Sequence, residues 1–204
     1  MAEKNIFIDA GGIKVEGLLE DVPGNRAVLV THPHPLYGGS MHNNVVESLI
    51  HAYGEKGYTT LRINFRGVGQ SQGNHENGVG EQQDVAAGLK YLAALGKDTI
   101  DLAGYSFGAW VCALGLENYS SAQRLIMVSP PVSFIDFSFL KYNPKIQLVI
   151  AGTVDEIAGA NSVEQMLETW NPEAVFQKID GADHFYGGKE GELHAIVSRF
   201  LSHE

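Results

Sequence analysis

The 204-residue chain has 44% hydrophobic and 19% charged residues and a formal net charge of −10. That is the make-up of one globular domain, residues 1–204, with its own core. Without a Lys/Arg-rich run it excludes a nucleic-acid partner, whose affinity rests on clustered cations. The single cysteine, Cys112, leaves no intrachain disulfide and reads as a small buried thiol. The start, Met1-Ala2-Glu3-Lys4-Asn5, lacks an apolar signal segment, and no apolar run reaches the ~20 residues of a membrane span. A cytoplasmic protein with no membrane partner is expected.

Residues 5–9 and 14–20 alternate in polarity around Gly11-Gly12 and predict a hairpin of edge strands. Residues 27–31, Ala-Val-Leu-Val-Thr, form a continuous apolar run, as in a strand covered on both faces of a parallel sheet. It ends in His32-Pro33-His34-Pro35-Leu36-Tyr37-Gly38-Gly39-Ser40, a loop stiffened by prolines whose glycines allow close backbone approach. A helix over 43–56, a strand over 58–65 and a long polar loop over 66–80 follow. Val85, Leu89, Leu92 and Leu95 mark one side of a helix over 81–95. Then come a strand at 99–103 and a helix at 109–116. A strand at 124–129 is closed by Pro130-Pro131, and an aromatic segment spans 132–143. A strand at 146–151, a helix at 162–170, a strand at 174–179 and a helix at 190–202 complete the chain. Two strands followed by alternating strand–helix units predict a mostly parallel central sheet with helices on both faces. Ligand chemistry then belongs at the carboxyl ends of the strands.

Gly104-Tyr105-Ser106-Phe107-Gly108 fits G-x-S-x-G between an apolar strand and an apolar helix, the context of a nucleophile elbow. Small residues at 104 and 108 let helix and strand pack closely, and the Phe107 amide opens the helix where an oxyanion would form. A helix-capping serine is the plainer alternative for Ser106. Gly69-Gln70-Ser71-Gln72-Gly73 repeats the pattern, but polar turn residues follow it, so Ser71 reads as a loop residue. It is expected to brace the loop, as is Arg66.

Asp155 and His184 each follow a predicted strand, as Ser106 does. A serine hydroxyl needs a base to become a nucleophile. Histidine titrates near neutral pH, and a carboxylate can fix its tautomer. Glu156 is the alternative acid. Asp183 adjoins His184, but neighbours on extended chain point apart, so it reads as a loop solvator. His184 has the alternative of a structural surface histidine. His32 and His34 form an H-x-H resembling a metal motif, yet no further ligands are apparent, so no metal is expected and loop-shaping hydrogen bonds are. Gly67-Val68-Gly69 is no dinucleotide site, because its third glycine is misplaced and no helix opens there. No cofactor is implied.

These segments, with Asn64-Phe65-Arg66-Gly67-Val68-Gly69-Gln70-Ser71, Gly152-Thr153-Val154-Asp155-Glu156 and Gly181-Ala182-Asp183-His184-Phe185, resemble the α/β-hydrolase superfamily. The likeness is to its small cap-less serine hydrolases near the dienelactone-hydrolase-like group. It implies an α/β-hydrolase fold without a lid domain. It implies Ser106 as nucleophile, Asp155 as acid and His184 as base. It also implies an oxyanion hole from the Phe107 amide and one amide after His34, Leu36 or alternatively Tyr37. The dienelactone hydrolases proper carry cysteine at the elbow, where this chain has serine.

Only residues 130–145 separate two predicted strands where larger relatives insert a lid. Phe134 and Phe137 leave the sheet's active end there and, with Tyr37, are expected to line an open apolar acyl pocket. The expected partner is a small-molecule acyl substrate; a homodimer stays open. The leading reading is a carboxylesterase-like serine hydrolase. Its alternatives are a silent scaffold of the same fold, or a peptidase or acyltransferase using the same three residues.

Overall fold

The computed structural model describes residues 3–202. Met1 and Ala2, part of the start read above as lacking a signal segment, lie outside the described residues. Strands β1 (Lys4–Asp9), β2 (Lys14–Glu20), β3 (Arg26–Thr31), β4 (Thr59–Ile63), β5 (Thr99–Tyr105), β6 (Ala122–Val128), β7 (Ile146–Gly152) and β8 (Val175–Ile179) form one sheet. Helices α1 (Asn44–Glu55), α2 (Val79–Ala94), α3 (Phe107–Gly115), α4 (Ala160–Trp170) and α5 (Glu190–Phe200) cover it.

The strand order is β1-β2-β4-β3-β5-β6-β7-β8, antiparallel at β1–β2 and β2–β4 and parallel elsewhere. The hairpin reading holds, although only β1 is an edge; β2 pairs on its other side with β4. The apolar runs of β3, β5 and β6 are buried because both faces are covered. On one face Val45, Val46 and Leu49 of α1 pack with Leu193 and Val197 of α5. On the other, Val85 and Leu89 of α2, Val111 of α3, and Val163 and Trp170 of α4 form the second core. The Asn43 side chain starts α1 by accepting from the Val45 amide at 2.9 Å.

Several boundaries differ from the sequence reading by one or two residues, and two are instructive. Helix α2 begins at Val79, two residues early, because the Glu81 carboxylate accepts the Gly78 amide at 2.8 Å and turns an apparent loop into a helix start. Strand β6 begins at Ala122 and carries a register shift opposite Ile100 and Asp101. The connection from β6 to β7 holds no helix or strand, as expected of a chain without a lid domain.

The order has one consequence for function. It reverses direction at β3, so β3 runs beside β5 with Thr31 opposite Gly104. The loop after β3 and the turn after β5 therefore emerge side by side, at the carboxyl end of the sheet.

Candidate active site

Ser106 sits between β5 and α3 with φ 53° and ψ −119°, a conformation side chains rarely adopt. Its neighbours make the turn possible. A Cβ on Gly104 would lie 2.6 Å from the Ala109 backbone, and one on Gly108 would lie 2.6 Å from Thr31 Oγ1 and 2.7 Å from the His32 carbonyl. Helix and strand approach closer than any side chain permits. Ser106 occupies the cap position of α3, but its side chain does not cap the helix. Its Oγ lies 2.9 Å from His184 Nε2 instead.

His184 comes from the loop after β8. Its Nδ1 faces both oxygens of Asp155, at 2.9 Å to Oδ2 and 3.1 Å to Oδ1. The carboxylate accepts only, so Nδ1 carries a proton and Nε2 is free to accept from the serine. Asp155 Oδ1 also accepts the amides of Ile157 at 2.9 Å and Ala158 at 2.7 Å, and Oδ2 accepts Ser129 Oγ at 2.7 Å. Burial pushes this carboxyl upward. The hydrogen bonds from His184, Ser129 and Ala158 outweigh it and hold the group below the usual carboxylate range. All three side chains are buried. Glu156, the alternative acid, is exposed. Asp183 turns onto its own loop, accepting the amides of Phe185 and Tyr186.

The loop after β3 differs in detail from expectation. Leu36 donates its amide to His34 Nδ1 at 3.2 Å, and Tyr37 donates to the His34 carbonyl at 3.1 Å. Both expected oxyanion donors are thus engaged within the turn. The His34 amide itself takes part in no hydrogen bond among the described residues, nor does that of Phe107. The His34 ring packs on the Phe107 ring, centroids 4.8 Å apart, so the two segments touch. The His34 side chain turns back to accept the Leu36 amide, a contact that its place in the sequence does not reveal.

His32 and His34 shape this loop through hydrogen bonds. His32 is fully buried; its Nε2 accepts the Phe65 amide at 3.0 Å and its Nδ1 donates to the Pro33 carbonyl. Burial, only partly opposed by that bond, depresses the His32 imidazole to about 4, so the ring stays neutral. Burial and the neighbouring His75 lower His34 as well. Among the described residues no group of three or more His, Cys, Asp or Glu is placed to hold a metal ion. Cys112 is buried beside Thr31, and burial raises its thiol to about 12, which leaves it inert.

The three expected substrate-facing side chains part company. Tyr37 and Phe134 are exposed, at 88% and 73%, on the loops that follow β3 and β6. Phe137 is not in the cleft: at 2% exposure it packs against Trp170, centroids 5.2 Å apart, within the core. The aromatic segment folds back across the end of α4, and its second phenylalanine faces inward. Leu36, Val154 and Phe185, on the loops that follow β3, β7 and β8, are exposed as well. Beside the loop after β3 a cleft of about 470 Å³ is lined by Pro35, Leu36, Asn74, His75 and Asn77, among others.

Arg66 and Ser71 brace the second loop as expected. Arg66 pairs with Asp84 at 2.9 Å and Glu76 at 2.8 Å. Ser71 Oγ donates to the Asn64 carbonyl and accepts the Glu16 amide, both at 2.8 Å. No helix of the described residues is long and apolar enough to cross a membrane.

Comparison with known proteins places this architecture. A model of the alpha/beta hydrolase fold matches residues 33–147. An uncharacterized protein of Rickettsia prowazekii is 38% identical over 189 residues, covering 88% of this chain and 79% of its own. The structure of an alpha-beta serine hydrolase homologue from Coxiella burnetii superposes with a TM-score of 0.91 at 34% identity, covering 98% of both chains. A serine hydrolase without a lid from Xanthomonas campestris gives a TM-score of 0.91 at 32% identity, covering all of this chain and 95% of its own. With the family model matching more than half of its length and serine hydrolase structures superposing over nearly all of it, the chain belongs to the α/β-hydrolase fold family.

Proposed function

We propose that the protein is a serine hydrolase that cleaves small ester or related acyl substrates through an acyl-enzyme on Ser106. One observation carries this reading: Ser106 Oγ, His184 Nε2, His184 Nδ1 and Asp155 Oδ2 form a chain with both links at 2.9 Å. As Ser106 Oγ attacks the acyl carbonyl, His184 takes its proton, and Asp155 stabilises the imidazolium. The amides of Phe107 and His34 are the proposed donors to the oxyanion; loss of one such donor costs about 3 kcal/mol of barrier. Collapse breaks the ester bond, and His184 returns the proton to the departing alcohol. Water, deprotonated by the same imidazole, then frees the acid and restores Ser106.

The uncapped cleft and the exposed Leu36, Tyr37, Phe134 and Phe185 support an open site that accepts apolar acyl groups. The likeness to serine hydrolase homologues at over 30% identity supports the same reaction class. Rapid-quench mass spectrometry during turnover of p-nitrophenyl acetate tests the proposal. An acetylated chain should accumulate in the wild type and be absent from Ser106→Ala. Turnover that continues undiminished in Ser106→Ala, with no adduct in either protein, would overturn it.

A further inference from the structure

Behind Asp155 lies a layer of hydroxyls that the reaction above leaves unused. Ser129 directly follows β6, and Tyr186 lies two residues beyond His184; both are fully buried. Ser129 Oγ is 2.7 Å from Asp155 Oδ2 and 2.8 Å from the Tyr186 hydroxyl. An ionised carboxylate can only accept, so Ser129 donates to Asp155. Its oxygen then receives the Tyr186 proton. The hydrogen bonds run one way, from Tyr186 through Ser129 to the acid.

The backbone supports a functional reading. Ser129 has φ 44° and Tyr186 φ 57°. Such conformations are unfavourable for side chains and persist where surrounding contacts over-determine them, which is commonest at functional sites. A third hydroxyl ties the layer to the elbow. Tyr105, the residue before Ser106, donates to the His184 carbonyl and sets its ring edge-on to Tyr186, centroids 6.3 Å apart. The loops bearing Ser106, Asp155 and His184 are therefore cross-linked through side chains that never reach the cleft.

We infer that Ser129 and Tyr186 are positioning residues: a two-hydroxyl relay that holds the Asp155 carboxylate toward His184 during hydrolysis. The inference rests on the serine hydrolase reading above. Two amides fix Oδ1, whereas Oδ2, the oxygen nearer His184 Nδ1, has Ser129 as its other donor. Removing that donor lets the carboxylate rotate and makes it more basic. The titratable groups around Asp155 are His184 and Tyr186 from the loop after β8 and Tyr105 from β5, with Asp183 acting on Tyr105. The tyrosines stay protonated, since burial raises both phenols. The Ser129 hydrogen bond helps hold the Asp155 carboxyl low, so without it that group takes up a proton at higher pH and no longer orients the imidazole, which moves the acid limb of kcat/KM to higher pH.

The test is a double-mutant cycle on p-nitrophenyl acetate hydrolysis, followed from about pH 4 to 9. Ser129→Ala should lower kcat about ten- to a hundredfold with KM within about twofold, and shift the acid limb upward. Tyr186→Phe should give a smaller loss and a shift of the same sign. Added to Ser129→Ala it should change little, because the link it supplies is already gone. Tyr186→Phe deletes one oxygen and keeps its ring packing, so it remains informative even if Ser129→Ala folds poorly. Multiplicative losses, or variants with lowered melting temperature but unchanged kcat and pH limb, overturn the relay. If Ser106→Ala is still active, the hydrolase reading fails. If Ser106→Ala is inert while both relay variants match the wild type, the relay alone fails.

Discussion

Ser106 and Ser71 sit in the same five-residue pattern, and both are nearly buried, at 6% and 8% exposure. Their glycines serve opposite purposes. Around Ser106, Gly104 and Gly108 stand where backbone meets backbone, and the serine itself takes the positive φ. Around Ser71, Gly69 and Gly73 take the positive φ, at 58° and 80°. Their hydroxyls differ in the same way. Ser71 spends its hydrogen bonds on the Asn64 carbonyl and the Glu16 amide, stapling a loop to β2. Ser106 makes no such local bond; its partner is an imidazole from 78 positions along the chain. A motif becomes a nucleophile when strain keeps its hydroxyl from pairing locally and a distant loop supplies the base.

The contrast can be broken most directly through the two serines. Ser106→Ala should reduce ester hydrolysis by at least about a thousandfold. Ser71→Ala should leave the rate within a small factor while lowering unfolding free energy by about 1–3 kcal/mol, read from urea titrations. Similar rate losses in both would erase the distinction. The glycines sharpen it. Gly104→Ala drives a Cβ into the Ala109 backbone and should cost about 3 kcal/mol. Gly73→Ala meets the movable Ile13 side chain at 3.2 Å and Arg66 Cβ at an ordinary 3.5 Å, so its cost is mainly the left-handed backbone, about 1–2 kcal/mol. The opposite ranking in denaturant melts would contradict these roles.

His32 joins the two regions, since it directly follows β3 and accepts the amide of Phe65 at the start of the Ser71 loop. Its native pKa, about 4, lies below its ordinary value of 6.5. The unfolded chain therefore takes up a proton first as pH falls. Stability contributed by the neutral ring is complete above about pH 6.5 and declines toward pH 4, by up to about 3 kcal/mol. Urea titrations across that range should show this slope in the wild type and a flatter one in His32→Gln. Parallel slopes would place the dependence elsewhere.

The fold was legible because its signals are local: period-two alternation in β1 and β2, buried apolar runs in β3 and β5, and strand–turn–helix at 99–115. The approach of Ser106, Asp155 and His184 could be anticipated from their places after parallel strands, which topology brings to one end of the sheet. What escaped depends on orientation. Phe134 and Phe137 look alike in sequence, yet one faces solvent and the other Trp170, because the turn between them is irregular. The Leu36 amide looked free until the His34 side chain was seen to accept it. Ser129 and Tyr186 left only a trace, a hydroxyl at a strand's end and another just beyond the histidine. Nothing along the chain said that Ser129 meets Asp155 and that Tyr186 meets Ser129.

Peptide mapping after reaction with a fluorophosphonate probe addresses the central claim most directly. The account predicts a phosphonyl adduct on the peptide carrying Ser106 and none on the peptide carrying Ser71. An adduct on Ser71, or on any other residue while Ser106 stays unmodified, would contradict it.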